Sequence, residues 1–298
     1  MLFRSITNLL ARAACKVDYG PLREFTMTEE EIYELDVAAW LHDCGKITTP
    51  EFVVDKGTKL ETIFDKVNLV DVRFEVLKRD AEIAALKRRL FVKGVKDFAD
   101  DELQAQLQQL DQDRDFIRAC NIGSEFITKE AIQRIDQIAA NTWRDPAGAE
   151  VTLLSDDEVE NLRIGRGTLN DRERQIINNH VAVTIKILQS LPYPKHLTRV
   201  TEYAGGHHEK MDGTGYPRKL KREEMSIPAR MVAIADVFEA LTAKDRPYKK
   251  AMPLSKALTI LGRLKLENHI DQDLFDVFIW EQVYLPYANE HLNPEQND

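Results

Sequence analysis

Two adjacent histidines, His207 and His208, are followed almost at once by Asp212, Gly213, Thr214, Gly215, Tyr216 and Pro217. Far upstream, the run His42-Asp43-Cys44-Gly45-Lys46 supplies another histidine–carboxylate pair and a lysine. His180 and Asp236 complete a dispersed set of groups able to ligate a metal. Neutral imidazole and carboxylate suit iron, manganese or zinc, whereas the scattered Cys15, Cys44 and Cys120 do not make a structural zinc finger. The chemistry such a set supports is metal-assisted hydrolysis. Asp236 follows the apolar run Ala233-Ile234-Ala235, where an unpaired carboxylate is costly. A metal, or a basic partner such as Arg230 or Lys244, accounts for it.

These residues need helices to bring them together, and the apolar spacing predicts an almost entirely helical chain. Thr28 with Glu31 reads as a capping box opening a helix to about residue 43. Leu35, Ala38, Ala39 and His42 share its buried face, and Gly45 stops it. Asn170 with Glu173 opens a helix predicted to carry His180. Val200, Tyr203, Ala204 and His207 share a face of the next, and Pro228 begins the helix of Asp236. Ligands converging from four helices are a bundle's way of building a carboxylate–histidine site. Neighbouring helical residues point about 100° apart, so His42 and Asp43 do not easily grip one ion. An aspartate bridging two ions about 3.5–4 Å apart resolves this, and the pair would activate a bridging hydroxide.

Between these parts, residues 61–164 differ in character. Leu60 to Leu90 is charge-laced with apolar positions at helical spacing, Gly94 breaks it, and Leu103, Leu107, Leu110 and Ile117 continue the pattern. This predicts a long helical hairpin with a coiled-coil-like seam, able to pair within or between chains. Ser155 with Glu158 caps a further helix, after a loop at Asp145–Gly148. The expected organisation is therefore a domain from residues 1–60 and 165–298 and a helical insertion at 61–164, serving oligomerisation or regulation.

At 298 residues and 31% charged, the chain reads as a soluble globular protein. Its net charge of −9 argues against a nucleic-acid polymer or a membrane surface as partner. It leaves an anionic small substrate open, since metals and a few basic groups reverse the local field. The odd, scattered cysteines predict reduced thiols and a cytoplasmic location. No apolar run reaches membrane-spanning length, and Arg12 interrupts the N-terminal apolar stretch.

The ordered series His42-Asp43-x-Gly45-Lys46, His180, His207-His208-Glu209, Asp212-Gly213-Thr214-Gly215-Tyr216-Pro217, Ala235-Asp236-Val237-Phe238-Glu239-Ala240-Leu241-Thr242 and Arg246-Pro247-Tyr248 resembles the HD-GYP subfamily of HD-superfamily phosphohydrolases. The resemblance covers residues 20–60 and 165–280. It implies an all-α HD-type bundle, interrupted here by the helical insertion, that cleaves cyclic di-GMP to linear pGpG and onward to GMP. It implies two divalent ions, iron or manganese in preference to zinc, held by His42, Asp43, His180, His207, His208 and Asp236. Lys46 would protonate the leaving sugar oxygen or hold phosphate beside Asp43. Arg246 and Lys249 would contact substrate phosphate. The turn of Asp212, Gly213, Gly215, Tyr216 and Pro217 would form the rim and a surface for a signalling protein. The family's further upstream histidine has no counterpart, since none precedes His42 and residues 5–17 hold no acid. The expected site is thus binuclear, with Glu24 a candidate replacement ligand and the start of the chain a candidate truncation.

Plainer readings stand beside these. Glu209 either orients a ligand histidine or is exposed, Tyr216 packs the turn, and His196, His269 and His291 are surface or structural. Arg246 would otherwise pair with Asp245 or Glu239. The alternative function is a catalytically weak cyclic-dinucleotide receptor or interaction module, or hydrolysis of another cyclic dinucleotide or nucleotide.

Overall fold

Thr28 accepts a hydrogen bond from the Glu31 amide, and the Glu31 carboxylate accepts one from the Thr28 amide, so the helix Glu29–Leu41 begins on a full capping box. The chain is described here by a computed structural model at residues 2–91, 100–123, 126–243 and 252–298. Among these described residues it is all-α apart from one short hairpin, Thr142–Arg144 paired antiparallel with Glu150–Thr152. Among the described residues, no helix is long and apolar enough to cross a membrane.

The chain divides into two units, residues 1–50 with 175–298, and residues 51–174. In the first, the helix Ile227–Thr242 is apolar nearly all round and buries Met231, Val232, Ile234, Ala235 and Phe238. Such a helix belongs at the centre of a bundle. The helix Leu2–Ala14 packs on it through buried Ile6, Leu10 and Ala14, and packs also on Glu29–Leu41 and Gln272–Trp280. Phe238 meets Phe278 and Tyr287 edge-on, with centroids 5.2 and 5.5 Å apart. Asp271 caps the helix Gln272–Trp280 and is buried against the guanidinium groups of Arg222 and Arg230. These pairings leave Arg230 committed away from Asp236.

In the second unit, the helices Val67–Phe91 and Asp100–Asn121 pack along Val70, Phe74, Leu77, Leu110 and Ile117, and Ile135, Leu153 and Leu162 complete the core. The insertion's bounds differ from the 61–164 expected from sequence by about ten residues at each end. The reason is polar. Buried Lys56 places its ammonium 2.8 Å from both Glu173 carboxylate oxygens and 3.1 Å from the Asn161 side-chain oxygen. Residues 61–66 are a turn rather than helix, held where the Asn121 side chain donates to Asp65 and accepts from the Leu60 amide. The hairpin, predicted only as a loop, sets Trp143 opposite Val151. The predicted helix through His180 is two helices, Asp171–Asn178 and His180–Gln189.

Candidate metal centre

Three histidines are aimed by one local device. The Nδ1 of His42 donates to the Ala39 carbonyl at 2.8 Å, that of His207 to Ala204 at 2.7 Å, and that of His180 to Ile177. In each case the acceptor lies three residues back, at the end of a helical turn. A proton fixed on Nδ1 leaves the Nε2 lone pair as the ligand atom. His42 is able to do this because it caps the helix Glu29–Leu41. His180 begins its own helix, and His207 follows the helix Val200–Ala204 in a turn.

The Nε2 atoms converge on Asp43. Asp43 Oδ1 lies 3.1 Å from His180 Nε2 and 3.8 Å from His207 Nε2, while Oδ2 lies 3.2 Å from His42 Nε2. Asp236 Oδ1 is 3.7 Å from His42 Nε2, and its Oδ2 is 4.0 Å from His208 Nδ1. Two ligand sets result, His180 with His207 and His208, and His42 with Asp43 and Asp236, each with ligand atoms within 4.8 Å of one another. Asp43 presents one oxygen to each side. His180 Nε2, His207 Nε2 and Asp43 Oδ1 are buried without hydrogen-bond partners. Buried acceptors facing one another are costly unless a cation lies among them. The residues therefore fit a divalent metal pair by their donor chemistry and by these orphaned atoms.

The charge balance agrees. Burial opposes protonation of His42, but the facing Asp236 and Asp43 carboxylates overcome it and raise its pKa to about 10. His207 is pushed down to about 3 by burial and by His42, and His208 to about 3 by burial and by His207. Burial works against the Asp43 carboxylate as well, yet His180, His42 and Lys46 hold its pKa far below the usual carboxylate range. The facing carboxylates thus favour a positive charge at this point of the site.

Surrounding residues lock this geometry. Gly45 does more than end a helix. A Cβ there would sit 2.1 Å from the His180 carbonyl oxygen and 2.6 Å from the Thr184 amide, and the Gly45 amide donates to Thr184 Oγ1 at 2.9 Å. Only glycine lets the Asp43 turn approach the helix His180–Gln189 so closely. Thr184, one helical turn after His180, carried no signal of its own in the sequence beyond that spacing. Lys46 Nζ lies 2.7 Å from Asp43 Oδ2 and stays partly exposed.

Glu209 corrects both sequence readings. It is buried, and its two oxygens accept the amides of Arg218 at 2.7 Å and Leu220 at 2.9 Å. It pins the Gly-rich turn closed instead of orienting a histidine. A Cβ at Gly215 would lie 2.4 Å from the Lys210 amide, so this loop also depends on glycine. Tyr216 stacks on His208, with centroids 4.8 Å apart and planes at 23°. Gly213 adopts φ +81°, and exposed Asp212 turns back to accept from the amide and hydroxyl of Thr214, with Pro217 exposed beyond. Glu24 does not replace the missing ligand, being on the surface beside Arg23. Arg246 and Lys249 lie outside the described residues.

A family model described as an HD domain matches residues 156–274. The chain is 44% identical over 109 residues to "3'3'-cGAMP-specific phosphodiesterase 3" of Vibrio cholerae, covering 37% of this chain and 23% of that protein. It is 41% identical over 91 residues to "Cyclic di-GMP phosphodiesterase" of Thermotoga maritima, covering 30% and 24%. It is 36% identical over 132 residues to "Cyclic di-GMP phosphodiesterase response regulator RpfG" of Xanthomonas campestris pv. campestris, covering 43% and 34%. The matches thus span about a quarter to a third of these relatives.

Proposed function

We propose that this chain, which belongs to the HD-GYP type of HD-domain phosphohydrolases, hydrolyses a phosphodiester bond of a cyclic dinucleotide in a metal-dependent reaction. The observation that carries this reading is the set of orphaned buried atoms, His180 Nε2, His207 Nε2 and Asp43 Oδ1, turned toward one another. His42, Asp43 and Asp236 would hold one ion and His180, His207 and His208 the other, with Asp43 between them. When bound, divalent ions supply Lewis-acid polarisation of phosphoryl oxygens and lower the pKa of an attacking water. Iron or manganese is the preferred pair on the imidazole–carboxylate donor set, with zinc compatible.

The protein's own groups do the rest. The histidines whose Nδ1 protons are committed to carbonyls stay in one tautomer throughout. Tyr216, stacked on His208, holds that ring in place. Lys46, with its ammonium beside Asp43, is placed to neutralise a substrate phosphate oxygen or pass a proton to the leaving sugar oxygen. Arg246 and Lys249 are assigned to substrate phosphate, for which the planar guanidinium fork and the ammonium point charge are suited. The Tyr216 turn is the proposed contact for a signalling protein.

Cyclic di-GMP is the proposed substrate, with pGpG and then GMP as products. The names of the Vibrio cholerae relatives support 3'3'-cGAMP as the second substrate to try. The test is anaerobic incubation of manganese- or iron(II)-loaded protein with each dinucleotide, followed by chromatography. Linear products that vanish with His207→Ala support the proposal. Intact substrate with metal confirmed in the protein refutes it and favours the receptor reading.

A further inference from the structure

The helix Val67–Phe91 carries two apolar stripes, and among the described residues only one packs into the core of its unit. The inner stripe, Val70, Phe74 and Leu77, packs in the core of its unit. The outer one runs Leu69, Val72, Val76, Ile83, Leu86 and Leu90. Leu69 is 45% exposed, Val72 58%, Ile83 46%, Leu86 56% and Leu90 79%, with Val76 half-buried. Their spacing is 3, 4, 7, 3 and 4, the a and d positions of a heptad with Arg79 at the one remaining d position. The stripe is about 32 Å long at the rise of a helix. The companion helix Asp100–Asn121 has nothing like it, with Gln104, Gln106, Gln108 and Gln112 facing outward.

We propose that this outer stripe is the seam of a homodimer, in which the helix Val67–Phe91 of one copy packs antiparallel on the same helix of a second copy. A heptad stripe is self-complementary under a two-fold axis, which an arbitrary apolar patch is not. The charges select the second copy and its direction. Arg79, Asp80 and Glu82 are exposed at the middle of the stripe, and none has an ion-pair partner among the described residues. In a parallel pair, Arg79 would meet its own counterpart within one core layer, two like charges in an apolar seam. In an antiparallel pair, Arg79 packs beside Ile83 of the second copy and reaches that copy's Asp80 and Glu82. The same register sets Leu86 against Val76 and Leu90 against Val72. The seam lies wholly within residues 51–174 and does not depend on the chemistry proposed for the metal centre.

The test is sedimentation equilibrium of the full chain at micromolar concentration. A dimer is expected, and Ile83→Glu and Leu86→Glu are each expected to raise its dissociation constant by at least about thirtyfold. Both side chains are already exposed, so far-UV helicity and the thermal midpoint of the monomer serve as the folding control. Arg79→Glu is expected to weaken the dimer, and Arg79→Glu combined with Glu82→Arg to restore it. A wild-type chain that stays monomeric, or a dimer indifferent to Leu86→Glu, overturns the proposal. A charge-swapped double variant no more dimeric than Arg79→Glu alone overturns the antiparallel arrangement.

Discussion

Loading the centre with metal should expel a proton, and the group that loses it should be His42. In the metal-free protein its pKa stands at about 10, because Asp236 and Asp43 face it, while His207 and His208 are held near 3. At neutral pH the last two are already neutral and offer no competition to a metal. His42 must give up the proton on Nε2, the atom that faces both carboxylates. Over the three units between about pH 7 and about 10, that proton costs metal binding about 4 kcal/mol at about 1.36 kcal/mol per unit. Apparent affinity should therefore rise about tenfold per pH unit between about pH 6.5 and 8.5. Metal-free stability should run the other way. The pKa of His42 is raised on folding, so its contribution is fully present below about pH 6.5 and is lost as pH climbs through about 10. Calorimetric titration with manganese in buffers of different ionisation enthalpy measures the proton directly. About one proton released per chain is expected at about pH 7.5. Tight binding without proton release, or an affinity flat with pH, would refute the assignment of that proton and the facing geometry behind it.

Three further outcomes follow from contacts around the site and in the second unit. Gly45→Ala should lower stability by about 1–3 kcal/mol and the bound metal with it, since the new Cβ meets the His180 carbonyl; thermal melts and metal analysis read both. Glu209→Gln should cost about 1–3 kcal/mol, because one of the two amides it accepts then faces a donor. Loss of the Tyr216–His208 stacking should show in the aromatic NMR shifts of that variant. Lys56→Met should destabilise residues 51–174 by about 3–5 kcal/mol by leaving the Glu173 charge buried without its cation, while Lys56→Met with Glu173→Gln, which keeps the acceptor for the Asn170 amide, recovers most of it. Denaturant melts of the single and double variants decide that point.

The helical architecture was legible because its signals are local. The capping boxes at Thr28, Ser155 and Asn170 all form as the spacing predicts. Among the described residues, the donor atoms of the six candidate ligands lie together in two sets, a nearness that motif order pointed to where no single histidine would. What escaped the sequence depends on distant partners. Glu209 looks like any helix-end glutamate until the chain returns with the amides of Arg218 and Leu220. Lys56 and Glu173 are 117 positions apart, so nothing local announced that residues 51–60 and 165–174 join the second unit. The break at Asn179, which lets His180 begin a helix and aim its ring back at Ile177, has no proline or glycine to mark it. Within Val67–Phe91, two interleaved apolar stripes read as one pattern, and only the packing of Phe74 separates inner from outer.

Asp43 turns one oxygen toward each of two ligand sets, and metal stoichiometry tests what that arrangement holds most directly. Protein purified without oxygen and loaded with manganese or iron(II) should hold two ions per chain, one for each set. His207→Ala should remove the ion of its own set and leave His42, Asp43 and Asp236 able to hold the other. A wild-type chain that holds no ion, or a single ion lost entirely with either His207→Ala or Asp236→Ala, would contradict it.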